Sequence, residues 1–189
     1  SQVLLLRDIR TDLPLVYHGE WQFGPIVALI NRAKDELVTP DVFDAFVAGE
    51  REAFEDRFGG YEEAAVRLAA QGNLRPLRDV RGAYAKLRAT ERAGARGEAA
   101  DPADAERGLG TAAQREARRT LSGDGHAHWR GHFDPDDHPR IDELAETYVA
   151  DGAALEVMRL TELGIVYRAY QEELVRRGAL DFGEQIAAV

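Results

Sequence analysis

The chain has 189 residues, no cysteine, and 24 Lys+Arg against 34 Asp+Glu, a formal net charge of −10. The missing cysteines exclude a disulfide framework and any thiolate metal site. No run approaches the roughly 18 consecutive apolar residues of a membrane-spanning helix, and no basic stretch followed by an apolar run opens the sequence as a leader would. Ala, Glu, Arg and Leu dominate and β-branched residues are few, so the expectation is a soluble, cytoplasmic, all-α domain.

Residues 1–23 are mixed, with a short apolar run from Val3 to Leu6 and an extended stretch around Pro14. Trp21 and Phe23 read as lids on the core. Gly24 and Pro25 open the first clear helix, with Pro at its first position. Ile26, Ile30, Ala33 and Leu37 recur at steps of four, three and four and predict its buried stripe. Thr39 and Pro40 then supply an N-cap and a first helical residue, with Asp41 in the first turn. Val42, Phe43, Phe46, Val47, Phe54 and Phe58 form the apolar stripe of this second helix. Its acids, Asp41, Asp44, Glu50, Glu52, Glu55 and Asp56, argue against a base-stacking platform, which needs exposed aromatics among cations.

Gly59 and Gly60 end that helix, and a short one follows over 61–71, closed by Gly72 and Asn73. The next is predicted over 76–93, with Leu77, Val80, Tyr84 and Leu87 on one face and cations distributed around the others. Residues 94–110 have no apolar periodicity and read as a mobile linker. A short helix over 111–121 and a polar loop over 122–138 come next, and Pro139 opens another helix that Gly152 interrupts or ends. The longest helical pattern follows: Leu155, Met158, Leu163, Val166, Tyr167, Tyr170 and Leu174, closed by Arg176, Arg177 and Gly178. Asp181 and Glu184 have the spacing of a capping box for a further helix. The sequence stops at Val189 without a closing signal, as a piece cut within an element would. About six helices in an irregular bundle are therefore expected in a single domain, with the long C-terminal helix on the 25–37 and 40–58 pair.

Charge is unevenly spread. Residues 67–119 hold 12 Lys+Arg against 7 Asp+Glu, and the rest hold 12 against 27. A local basic surface on an acidic chain can still meet phosphates, because fields are screened beyond about 10 Å. The 75–92 stretch is the best candidate. Its Arg75, Arg78, Arg81, Lys86, Arg88 and Arg92 could neutralise phosphates without reading bases.

No P-loop, acidic strand end, dinucleotide fingerprint, nucleophile elbow or zinc-protease motif is present, so no catalytic residue is assigned. Asp35, Glu36, Asp181 and Glu184 are explained by capping and solvation rather than acid/base work. His126, His128, His132 and His138, with Asp134, Asp136 and Asp137, form a cluster of possible zinc ligands, although cysteine-free structural zinc sites are uncommon. A polar, His-rich surface loop is the simpler reading.

Two segments carry a resemblance to a known family. INRAKDELVTP at 30–40 resembles the "I.RAK.E..TP..Y" element of UvrD/PcrA/Rep-type superfamily 1 DNA helicases. YRAYQ at 167–171, with Leu174 and GALDFGEQI at 178–186, resembles their "Y..YQ..L...GALDFGDLI" segment, just upstream of the Walker B strand. The two occur in the family's order; the stretch between them resembles nothing in it. The resemblance implies the 1B subdomain of an ATP-dependent, 3′-to-5′ translocating helicase, a helical insertion that guides DNA near the single-strand/duplex junction without chemistry of its own. It adds Arg32 and Lys34 to the expected DNA contacts. It also implies ATP and Mg²⁺ for the parent enzyme but no cofactor here, and subdomains 1A, 2A and 2B as partners besides DNA. The alternative is a helical docking module in which the acidic helices 40–58 and 139–150 face a protein partner.

Overall fold

The computed structural model describes residues 2–17, 23–96 and 141–178. Six α-helices run through them: α1 (Gln2–Arg10), α2 (Phe23–Asp35), α3 (Pro40–Arg57), α4 (Tyr61–Ala70), α5 (Arg78–Ala95) and α6 (Ile141–Arg176). A single 3₁₀ turn, Arg75–Leu77, precedes α5. The all-α expectation holds, and no strand occurs among the described residues. The predicted 111–121 helix, the 122–138 loop with its histidines, Pro139, Trp21, most of the 94–110 linker and the Asp181 cap lie outside the described residues.

The chain divides into two compact units, residues 1–57 with 157–189 and residues 58–156. The core of the first gathers Leu5 and Leu6 of α1, Ile26, Ile30 and Ala33 of α2, Phe43 of α3, and Leu163, Val166, Tyr167, Tyr170 and Leu174 of α6. The long helix thus packs on the α2 and α3 pair, as its periodicity predicted. The Phe43 ring meets Tyr167 edge-on at 6.3 Å, and the Tyr167 hydroxyl donates to the Val38 carbonyl at 2.7 Å. The acceptor lowers the cost of burying the polar tip of this aromatic side chain.

Helix α2 begins two residues before Pro25, which sits in the first turn, where its missing N–H is not needed. Thr39 caps α3 as expected, its hydroxyl accepting from the Val42 N–H at 3.3 Å. Two members of the predicted stripes are exposed. Val42 is 54% exposed and Leu37 is 75% exposed. The α2 stripe fails at Leu37 because the helix has already ended. The Val38 N–H bonds the Ala33 carbonyl at 2.7 Å, the Leu37 N–H bonds the Lys34 carbonyl at 3.0 Å, and Leu37 has φ 57°. This is a Schellman stop with leucine in the left-handed position that glycine usually fills. The reversal swings Leu37 outward and sends Val38 onto the core in its place.

A second correction concerns Gly152. It neither breaks nor ends a helix; α6 runs through it and through Gly164 for 36 residues. A Cβ built at Gly152 would lie 2.6 Å from the Val80 Cβ and 3.3 Å from the Arg81 backbone nitrogen. At Gly164 the space is taken by Asp44 Oδ1, 2.8 Å away. Both glycines allow close approach of a neighbouring helix.

The second unit is built on α4, α5 and the first part of α6. Tyr61, Ala64, Leu68, Leu77, Val80, Ala83, Tyr84, Tyr148 and Val149 are buried in it. Phe58, expected on the α3 stripe, instead lies past the end of α3 and meets the Tyr84 ring at 6.0 Å. Gly59 and Gly60, with φ 68° and 65°, separate α3 from α4.

The Tyr148 hydroxyl donates to the Pro76 carbonyl. Burial, with Asp79 nearby, pushes that phenol up to about 12. A phenol that stays protonated in the folded state and ionises near pH 10 when unfolded stabilises the protein fully below pH 10. That contribution is lost as pH rises through about 12. Tyr148→Phe should cost about 0.5–1.5 kcal/mol at pH 7. It should also flatten the fall of stability between pH 10 and 12, as measured by urea unfolding across that range.

Candidate nucleic-acid interface

Helix α5 turns Val80, Ala83 and Tyr84 inward. At 100° per residue, the side away from them carries Arg78 and Lys86, about 80° apart around the axis and about 12 Å apart along it. Arg75, in the 3₁₀ turn, lies one turn upstream. Arg75, Arg78 and Lys86 are all exposed and make no ion pair among the described residues. Arg92 is half-buried, and Arg96 follows Arg78 by five full turns, exposed on the same side. The predicted helix stopped short of Arg96, which the sequence reading therefore missed.

Arg81 and Arg88 are occupied differently. Arg81 Nη1 lies 2.6 Å from Glu156 Oε2, with the two side chains 20% and 5% exposed. Arg88 Nη1 lies 2.6 Å from Glu91 Oε2, one turn along α5. These two lie on one edge of the buried face of α5, about 20° apart around the axis, and each is paired with an acid of the chain. Arg67 in turn pairs with Asp151 of α6, a buried carboxylate whose hydrogen bond raises the guanidinium's pKa. Of the six cations proposed on this stretch, the structure leaves Arg75, Arg78 and Lys86 exposed.

Arg32 and Lys34 belong to the first unit. Arg32 is exposed and pairs with Glu36 at 2.8 Å, which raises its pKa. Lys34 Nζ sits 5.2 Å from the centre of the Tyr170 ring, a cation–π geometry. Its stem therefore covers the core near α6.

Four acids are buried among the described residues, Glu50, Asp151, Glu156 and Glu162, and their burial escaped the sequence reading. Glu162 Oε1 accepts from the backbone N–H groups of Val16 at 2.6 Å and Tyr17 at 2.8 Å, pinning the segment after α1. The signal was present. Glu156 precedes Leu160, Leu163 and Tyr167 at steps of four, three and four, so it stands on an apolar row where an acid needs a partner. Elsewhere on α6, Arg168 is held by Asp44 and Asp41, and its pKa is raised by those two hydrogen bonds in that order. Glu173, bonded by Arg176 and Arg177, is pulled down to about 2.

Among the described residues no group of three or more His, Asp or Glu side chains is arranged to hold a metal ion, and no helix is long and apolar enough to cross a membrane. The arrangement on α5 offers cationic side chains at fixed spacing. No family model, curated protein or solved structure matches the chain.

Proposed function

We propose that this chain is a helical accessory segment of an ATP-dependent, 3′-to-5′ DNA helicase of the UvrD/PcrA/Rep type, and that it guides DNA near the single-strand/duplex junction. The resemblance at 30–40 and 167–186 supports the family; the all-α architecture is compatible with a 1B-like insertion. The observation that carries the DNA reading is the outward set Arg75, Arg78 and Lys86 on α5 and the 3₁₀ turn that leads into it. Such cations hold a phosphate backbone without sequence preference. ATP, Mg²⁺ and the catalytic groups belong, on this reading, to the parent enzyme's other subdomains, 1A and 2A, with 2B as a further neighbour.

The test is fluorescence anisotropy of the chain with a labelled forked DNA, titrated across salt. Log affinity should fall with log salt with a slope of about −3 if the three outward cations each displace a counterion. Arg78→Glu with Lys86→Glu should lower the slope by about 2 and leave thermal unfolding unchanged. Binding that keeps its slope in this variant would remove α5 as the DNA tract. ATP hydrolysis by the chain itself, persisting through repurification, would overturn the division of labour.

A further inference from the structure

We infer that the turn between α2 and α3, anchored by Leu37, is a docking surface for a cationic amphipathic helix of a partner protein. Leu37 serves the fold in neither of the usual ways. Its backbone is left-handed, at φ 57°, where a Cβ is disfavoured and glycine is the default. Its side chain is 75% exposed, and the packing that normally accompanies such a helix stop is supplied by Val38. Val42, 54% exposed in the first turn of α3, adds apolar surface five residues on. A large apolar side chain held outward on a strained backbone has the form of an anchor.

The charge around it selects the occupant. Residues 35–44 contain Asp35, Glu36, Asp41 and Asp44 and no Lys or Arg. Asp35, Glu36 and Asp41 are exposed. Arg32 and Arg168 offset part of this through Glu36, Asp41 and Asp44, and Asp35 has no such neighbour among the described residues. With Lys34 beside Asp35 the acids still outnumber the cations, so the balance favours a cationic occupant over a nucleic acid or an anionic membrane. An apolar helix face rimmed by Lys or Arg satisfies both the leucine and the acids. The inference is independent of the reading of α5, which lies in the other unit, and each can fail without the other.

The test uses the whole 189-residue chain. Two labelled amphipathic peptides of equal length and equal leucine pattern, one with lysine and one with glutamate on the polar face, are compared by anisotropy. The lysine peptide should bind and the glutamate peptide should not. Leu37→Gly should weaken binding at least tenfold while raising Tm by about 2–4 °C, since it relieves the backbone without emptying the core. Asp35→Lys should weaken binding severalfold with Tm unchanged. Equal binding by wild type and Leu37→Gly, equal binding of both peptides, or binding of neither would overturn the proposal. Leu37-dependent self-association in sedimentation without peptide would also overturn it, by assigning the surface to a second copy.

Discussion

Arg81→Ala should destabilise the protein by about 3–5 kcal/mol, because it leaves Glu156 buried without its cation. The Glu156 side chain is 5% exposed and its Oε2 lies 2.6 Å from Arg81 Nη1. The cost comes from taking the cation away from a buried carboxylate, so removing both partners should cost far less. The double variant Arg81→Met, Glu156→Met should recover most of the loss, since paired charges replaced by apolar side chains of similar volume are often neutral or better. Urea unfolding followed by circular dichroism measures all three. If Arg81→Ala lost less than about 1 kcal/mol, the pair would be behaving as a solvated surface bridge. Arg78→Ala, three residues from the 3₁₀ turn's start and exposed, should stay within about 0.5 kcal/mol of wild type. Charge reversal at Arg81 is therefore a poor probe of phosphate contact: lost DNA binding there would report unfolding.

Gly152→Val should cost about 3 kcal/mol, and Gly152→Ala somewhat less. In an open helix the alanine change would be favourable by about 1 kcal/mol. Here the new Cβ would stand 2.6 Å from the Val80 Cβ and 3.3 Å from a backbone nitrogen of α5. Backbone cannot rotate away as a long side chain can, so α5 and α6 must separate, at the 1–3 kcal/mol typical of an overpacked core or more. Val80→Gly, which removes that Cβ, combined with Gly152→Ala should show a coupling of about 1 kcal/mol or more, in the direction of rescue. Gly82 provides the internal control. Nothing lies within 4 Å of the position a Cβ would take there, so Gly82→Ala should raise stability by up to about 1 kcal/mol. Opposite signs for two helical glycines would separate close approach from helix propensity.

These two sites also show how far the sequence could be read. The seven apolar positions from Leu155 to Leu174 are all buried, because helical periodicity reports directly on which face meets a core. The caps at Thr39 and the stop at Gly59 and Gly60 were legible because their chemistry is local. Gly152 was misread for the opposite reason. Glycine marks both breaks and close approaches, and the side chain that decides between them, Val80, is 72 residues away in sequence. Leu37 was misread because its spacing fits a stripe while the helix stop carries no glycine to announce itself. The basic stretch on α5 was legible as composition, yet Arg81 turned inward to an acid 75 residues away, which no local count reveals.

The order in which the first unit's parts are made has its own consequence. Its apolar faces on α1, α2 and α3 are complete once Arg57 has been synthesised, but the α6 residues that cover them begin at Val157. At 5–20 residues per second, a growing chain carries Ile26, Ile30 and Phe43 uncovered for about 5–20 s. Helix formation and collapse take microseconds, so these helices wait, formed and sticky, for a partner not yet translated. Nascent-chain truncations ending between 60 and 150 should accordingly engage holding chaperones, and release should follow the emergence of Tyr170 and Leu174.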